Sequence, residues 1–259
     1  KINKFVERFR AKASKAKQAQ SRLKALEKMV SSLPTSMKSI PSFVIPEVES
    51  LSPPILLLND VKVGYGSKVI LDNLNLRIDP DDRIAIIGKN GGGKSTFAKL
   101  LAGKLKAMSG VITKNNNLRV GYFSQHVIDE LNLDQTPLTH IEKLLPKKPK
   151  TKLNSLLAAG GLLNDQVNTP VGNLSGGQKA RLALILLTVK APHLMILDEP
   201  TNHLDIESRE RLAASLNNFE GGVLIISHDA HIINLIATEL WLVKDNTVNP
   251  FNGSLEEYE

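Results

Sequence analysis

The sequence predicts an α/β protein with a parallel core sheet, an N-terminal antiparallel β subdomain and an α-helical subdomain, preceded by a basic helix. From residue 55 onward, short apolar strands alternate with helical segments, which is typical of a parallel sheet. Two strands with period-2 patterning come first and flank a turn, which favours an antiparallel pair. A mostly helical stretch at about 126–190 interrupts the alternation.

The composition excludes several classes of protein. The chain has 259 residues, of which 42% are apolar and 23% charged, as in ordinary globular proteins. It contains no cysteine, which excludes a disulfide scaffold, thiolate zinc sites and a cysteine nucleophile. No apolar run approaches the roughly 18 residues that a membrane span needs, and the start lacks a secretory signal. We therefore expect a cytoplasmic protein.

The first 30 residues are predicted to form one basic helix, because they contain neither glycine nor proline. Residues 1–28 hold ten Lys or Arg and two Glu, a net charge of +8, so the other 231 residues sum to −1. An anionic partner is most simply placed on this helix. Apolar residues at coiled-coil spacing predict a partner helix that this chain does not supply. The alternative is a solvated tail.

Residues 31–54 are predicted to be an extended linker, because they contain five prolines and seven serines. The domain proper then covers 55–259. Its predicted strands are 55–66, 68–79, 83–88, 118–125, 193–200, 223–228, 239–243 and 247–251, and its predicted helices are 94–105, 176–190, 205–219 and 229–236.

Residues 88–95, GKNGGGKS, fit the phosphate-loop pattern G-x-x-x-x-G-K-[ST]. They follow a buried strand and open a helix, whose N-terminus favours anions. Lys94 is predicted to reach the β- and γ-phosphates of a nucleotide, and Ser95 to ligate Mg²⁺. The alternative is a glycine turn with a surface lysine. The predicted ATP-binding residues of this loop are Gly88, Lys89, Asn90, Gly91, Gly92, Gly93, Lys94, Ser95 and Thr96.

Two carboxylates end the apolar segment LMIL at 194–197. Asp198 is placed to hold Mg²⁺, directly or through water, and Glu199 to take a proton from the attacking water. The same dipeptide could be an ordinary turn at the end of a strand. The phosphate loop about 100 residues earlier in the chain favours the catalytic interpretation. The pair therefore predicts phosphoryl chemistry.

A second anion site is indicated by LSGGQ, where Ser175 can cap a helix whose N–H groups the glycines expose. With the phosphate loop and the acidic strand end, it resembles the nucleotide-binding domain of the ATP-binding cassette (ABC) superfamily over residues 55–250. The resemblance implies a P-loop NTPase fold in which each ATP lies between the phosphate loop of one cassette and the LSGGQ of another. The signature residues are Leu174, Ser175, Gly176, Gly177 and Gln178.

The resemblance also assigns single residues. It implies that Tyr65 stacks on adenine, although a core tyrosine beside two glycines is the alternative. It places Asp205 in a loop that faces the opposite cassette. Catalysis is implied for Glu199, His228 and Gln125, and Mg²⁺ binding for Ser95, Gln125 and Asp198. The remaining histidines are predicted to serve packing or the surface: His126, His140, His193, His203 and His231.

Three segments resemble the ABC-F branch, whose members carry two cassettes on one chain: residues 5–29, LDEPTNHLD at 197–205 and the ending PFNGSLEEYE. Gly92 departs from the Ala or Ser usual in the family. The resemblance implies the second cassette of a longer protein, with ATP and Mg²⁺ as cofactors and the ribosome and tRNA as partners. The alternative is the ATP-binding subunit of a membrane ABC transporter, which leaves residues 1–30 without a role. A purely regulatory module would predict a damaged Lys94 or Glu199.

Overall fold

The computed structural model describes residues 45–124 and 126–258. The predicted basic helix at 1–30, the linker as far as residue 44, and Gln125 lie outside these residues. The strands are β1 (Leu56–Tyr65), β2 (Lys68–Ile78), β3 (Arg83–Gly88), β4 (Ser109–Lys114), β5 (Val120–Phe123), β6 (Leu194–Asp198), β7 (Gly222–Ile226), β8 (Glu239–Lys244) and β9 (Thr247–Phe251). The α-helices are α1 (Lys94–Leu101), α2 (Pro137–Leu144), α3 (Lys150–Ala159), α4 (Asn164–Val167), α5 (Gly176–Thr188), α6 (Ile206–Asn218), α7 (Ala230–Ile236) and α8 (Leu255–Tyr258).

A three-stranded antiparallel sheet with the order β2-β1-β4 forms the N-terminal subdomain. The first two strands follow the predicted hairpin, which turns at Gly66 with a φ of +57°. The third strand, β4, is absent from the sequence-based prediction. Its side chains are exposed apart from the half-buried Ile112, so it has no apolar alternation to reveal it.

The core sheet has six strands in the order β5-β6-β7-β3-β8-β9. Every neighbouring pair is parallel except β8 and β9, which form an antiparallel hairpin. Strands β6 and β7 are buried at every position, as expected of central parallel strands. The carboxyl ends of β3, β6 and β7 meet at one edge, where ligands of open parallel sheets bind.

The two faces of the core sheet belong to different hydrophobic clusters. Along β3, Ile84 and Ile86 pack in one cluster, while Ala85 and Ile87 pack in the other. The first cluster joins the sheet to the antiparallel subdomain and to α1. Within it, the ring centroids of Phe97 and Trp241 lie 6.2 Å apart. The second cluster joins the sheet to helices α2 to α7. The sheet therefore fixes both subdomains relative to the phosphate loop.

The end of α1 differs from the prediction by more than any other boundary of the predicted helices. Helix α1 ends at Leu101 instead of residue 105, because Gly103 adopts a φ of +72° and its N–H bonds the Leu100 carbonyl. Pro137 begins α2, where Thr136 caps the first turn. Proline is favoured at this first position because its missing N–H would have no helical partner.

No helix in the part of the chain that the structure describes is long and apolar enough to cross a membrane.

Arg83 is a buried cation that holds the connection before β7 against β3. It is 6% exposed, donates hydrogen bonds to the carbonyls of Gly221 and Phe219, and lies 5.8 Å from the Phe219 ring centroid. Replacing Arg83 with methionine leaves these buried carbonyls without their donors. We expect the free energy of unfolding to fall by about 2–4 kcal/mol in urea titrations.

Arg77 supplies the control for this prediction. Its side chain is 56% exposed and pairs with Asp79 at 2.9 Å on the surface. Arg77→Met should change the free energy of unfolding by less than about 1 kcal/mol. If both substitutions lower the free energy of unfolding equally, the buried hydrogen bonds of Arg83 stabilise the fold no more than the surface ion pair of Arg77 does.

Candidate active site

The phosphate loop is shaped by glycines with left-handed backbone angles. The φ angles are +148° at Gly88, +73° at Gly91 and +106° at Gly93. A Cβ at Gly88 would lie 2.6 Å from the Val243 carbonyl oxygen, and one at Gly93 would lie 3.0 Å from the Ile70 side chain. These contacts leave no space for a side chain at either position. The loop therefore requires the glycines that the motif specifies.

Lys94 places its ammonium group against the inner side of this loop. Its Nζ donates to the carbonyls of Gly88 at 2.8 Å and Lys89 at 3.0 Å. Burial lowers the pKa of Lys94, while the carboxylates of Glu199 and Asp198 act in the opposite direction. Helix α1 begins at the same residue without a side-chain cap, which leaves its first N–H groups for an anion.

Asp198, the last residue of β6, is 3% exposed. Burial raises its pKa, whereas the Ser95 hydroxyl and the ammonium group of Lys99 lower it. A carboxylate and a hydroxyl therefore stand together beside the phosphate loop. Both are oxygen ligands of the kind that Mg²⁺ prefers, and Mg²⁺ takes its remaining ligands from phosphates and water. The residues present fit a magnesium ion that arrives with a nucleotide.

Glu199 is held in a strained and partly buried position. Its φ is +53°, and its N–H bonds the Ile226 carbonyl at the end of β7 at 2.9 Å. Its Oε1 lies 3.5 Å from His228 Nε2 and accepts no hydrogen bond from a described residue. Burial raises the pKa of Glu199, and His228 lowers it. A desolvated carboxylate of this kind suits a general base.

The signature segment forms a helix N-terminus with a capping box. The Ser175 hydroxyl accepts the N–H of Gln178 at 3.3 Å, and the Gln178 side chain accepts the N–H of Ser175 at 2.8 Å. A Cβ at Gly176 would meet nothing within 4 Å, while one at Gly177 would lie 3.2 Å from the His203 carbonyl oxygen. The open side at Gly176 exposes backbone N–H groups of the first turn of α5.

Asp205 connects the loop after β6 to the signature helix. It caps α6 by accepting the N–H of Ser208 at 2.7 Å, and it pairs with Arg181 of α5 at 2.8 Å. Although partial burial opposes them, these hydrogen bonds hold the pKa of Asp205 below its usual value. Sequence reasoning missed Arg181, since no local pattern distinguishes it from other helical arginines.

Three further predictions can be located. Tyr65 ends β1 with 48% of its side chain exposed, as an aromatic stacking surface requires. Gln125 lies outside the described residues. Tyr122, which the sequence analysis did not single out, lies on β5, and burial together with the Asp198 carboxylate raises its pKa. In the strand register Tyr122 lies opposite Ile196, which precedes Asp198 by two residues.

Four of the other histidines contact described residues: His126, His140, His193 and His231. His193 is 4% exposed, and its Nδ1 accepts the N–H of Arg119 at 3.0 Å. His231 pairs with Glu210 at 2.9 Å on the surface of α7. Neither contact involves the residues around the phosphate loop.

The fold and the arrangement of the phosphate loop, the acidic strand end and the capped LSGGQ helix define an ATP-binding cassette. The sequence model of the ABC transporter family matches residues 71–202, just over half of the 259 residues. The chain belongs to this family. A second family model, also described as ABC transporter, matches residues 1–42.

Curated relatives match the chain over nearly its whole length. It is 43% identical over 258 residues to the probable ATP-binding protein YheS of Escherichia coli K12. The alignment covers 100% of this chain and 40% of that protein. It is 40% identical over 259 residues to human ATP-binding cassette sub-family F member 3, covering 99% of this chain and 36% of that protein. The chain thus spans about 40% of the length of such relatives, consistent with one cassette of an ABC-F protein.

Solved structures support the fold. An ATP-binding subunit of an ABC transporter aligns with a TM-score of 0.67 at 20% identity, over 78% of this chain and 91% of that one. A dimeric ATP-binding cassette in a post-hydrolysis state, bound to ADP and Pi, aligns with a TM-score of 0.64 at 21% identity. The alignment covers 76% of this chain and 99% of that one. These neighbours confirm the predicted α/β cassette fold, while the basic helix predicted before it lies outside the described residues.

Proposed function

We propose that this cassette binds and hydrolyses Mg·ATP in a site shared with a second cassette, as part of a cytoplasmic ABC-F translation factor that engages the ribosome and tRNA. The observation that carries the enzymatic part is the convergence of Lys94, Asp198, Glu199 and His228 at the carboxyl edge of the core sheet. Each group has a role in phosphoryl transfer to water.

The division of labour follows from the surroundings of each group. The N–H groups at the start of α1 and the Lys94 ammonium group hold the phosphates. Ser95 and Asp198 would hold Mg²⁺, which neutralises phosphate charge when bound. Glu199 accepts a proton from the attacking water, and His228, 63% exposed beside it, contacts the γ-phosphate. The roles of Gln125 and Tyr65 are part of the same proposal.

A second cassette is proposed because the chain supplies one phosphate loop and one signature helix, each open on one side. The N–H groups near Gly176 would complete the ATP site of the other cassette. The relatives, which are more than twice as long as this chain, have room for such a domain.

The ribosomal part of the proposal rests on the similarity to a sub-family F protein and on the charge of the N-terminal segment. Residues 1–28 carry +8, and such a density of Lys and Arg suits an RNA backbone. A membrane transporter subunit would share the cassette but gives no account of residues 1–30.

Ribosome binding is expected to depend steeply on salt through the N-terminal segment. If five of its cations neutralise phosphates, log K should fall against log salt with a slope of about −4, and doubling the salt should cost more than tenfold in affinity. Changing Lys12, Lys15, Lys17, Arg22 and Lys24 to glutamine should abolish most of this slope. Sedimentation with ribosomes across a salt series measures it.

A matched control removes five exposed lysines from the cassette body: Lys106, Lys147, Lys148, Lys152 and Lys244. This variant should retain more of the slope than the N-terminal variant. If the two variants lose affinity equally, the N-terminal segment is not the particular RNA contact and the ribosomal assignment loses its physical support.

A further inference from the structure

One groove in the described part of the structure is lined by Tyr122, the tyrosine beside Asp198, and by residues of β5, α2 and α5. It has a volume of about 710 Å³ and lies between β5 and the helices α2 and α5. This volume falls in the range of roughly 300–1,000 Å³ that is usual for ligand sites. The groove is thus large enough for one nucleotide or a few side chains of a partner.

The rim of the groove is basic. Lys104 follows α1, Arg119 precedes β5, Lys143 lies on α2 and Lys190 follows α5, and all four are exposed. Glu130 is the one carboxylate among the lining residues, so four cations and one anion give a net charge of +3. Four separate parts of the chain thus bring positive charge to one cavity, in a cassette body that sums to about −1.

These rim cations are not neutralised by the fold. Within residues 45–124 and 126–258, none of the four forms an ion pair. Lys143 donates to the amide oxygen of Gln135 at 2.9 Å, and Arg119 donates to the Ala191 carbonyl at 2.9 Å. Both partners are neutral, so the positive potential of the rim is available to an anionic ligand.

The floor of the groove is apolar. Val127, Leu144 and Leu187 are half-buried and pack on the core cluster, and the aromatic residue Tyr122 also lines the cavity. A paired A-form duplex presents its backbone and cannot put a base into a concave apolar floor. An unpaired nucleotide can place its base there while the flanking phosphates remain at the basic rim.

We propose that this basic-rimmed groove binds RNA at an unpaired nucleotide, as a second RNA contact separate from residues 1–28. The inference rests on the proposed ribosomal function for its biological setting, but its evidence is the rim, the floor and the volume of the groove. An acidic protein segment is the competing occupant, and the experiment below distinguishes it.

The test measures binding of the full chain to two RNA hairpins of equal length, one fully paired and one with a single bulged nucleotide. The wild type should prefer the bulged hairpin severalfold. In Lys143→Gln/Lys190→Gln this preference should disappear, affinity should fall about tenfold near 0.15 M salt, and the salt slope should shrink by about 1.4–1.8. The control Lys152→Gln/Lys244→Gln removes the same charge at exposed positions outside the groove and should keep the preference.

Several outcomes would overturn the proposal. Equal binding of the two hairpins by the wild type would exclude a site for an unpaired nucleotide, and equal losses in both variants would reduce the effect to general electrostatics. If poly-glutamate bound more tightly than the bulged hairpin and lost affinity only in the groove variant, the occupant would be an acidic protein. Ribosome sedimentation separates the two proposals. If the chain prefers the bulged hairpin but does not bind ribosomes, the proposed ribosomal function is wrong and the groove proposal stands. If the chain binds ribosomes and the groove variant binds them equally well, the groove proposal is wrong and the ribosomal function stands.

Discussion

Replacing Lys94 with alanine is expected to weaken Mg·ATP binding about a hundredfold in calorimetric titrations. Lys94 is 9% exposed, and its ammonium nitrogen lies 2.8 and 3.0 Å from two loop carbonyl oxygens. Removing a desolvated cation from a bound phosphate costs roughly 2–5 kcal/mol, and about 1.4 kcal/mol corresponds to a factor of ten. The loss of ATP affinity should therefore exceed the loss caused by replacing an exposed lysine.

Lys89 provides the control on the same loop, because its predicted part in ATP binding uses the backbone N–H, which alanine keeps, while its side chain is exposed. Lys89→Ala should change ATP affinity by less than about threefold, as expected for an exposed charge. Thermal melts of both variants should establish that the loop remains folded. If Lys94→Ala and Lys89→Ala bind ATP with equal affinity, the nucleotide does not occupy this loop.

Glu199→Gln is expected to lower the ATP turnover number by about 10²–10⁴-fold while ATP binding persists, since general-base catalysis contributes on this scale. The amide keeps the shape of the side chain but cannot accept a proton. ATP should then hold two cassettes together, so the variant should form a dimer in light scattering with Mg·ATP. Glu256→Gln, which removes an exposed carboxylate on α8, should leave turnover unchanged.

The pH and concentration dependence of hydrolysis sharpen this prediction. Because burial raises the pKa of Glu199, the base becomes protonated at a higher pH than an ordinary glutamate, and turnover should fall with decreasing pH from that higher value. Wild-type activity should also rise more steeply than linearly with protein concentration, because the proposed site takes its signature segment from another cassette. A specific activity that stays constant on dilution would contradict the shared site.

The local sequence patterns determined the elements that carry the chemistry. The apolar run before Gly88, the glycines after it and the helix from Lys94 follow from residues adjacent in the chain, and the structure has them in that order. The same holds for Ser175, whose capping box joins residues three positions apart. Patterns of this range can be recognised in a sequence because backbone angles and caps depend on near neighbours.

The tertiary structure alone decided which distant groups meet. Arg83 contacts residues 136 and 138 positions away, Arg181 pairs with Asp205, and His228 lies beside Glu199 because β6 and β7 are neighbours in the sheet. The basic groove likewise combines cations from four separate parts of the chain, none of which forms a basic motif by itself. Such contacts depend on strand order and on the packing of both faces of the sheet, which residue spacing does not encode. The sequence by itself therefore determined the phosphate loop and its class of chemistry, and the packing decided the surroundings of each charge.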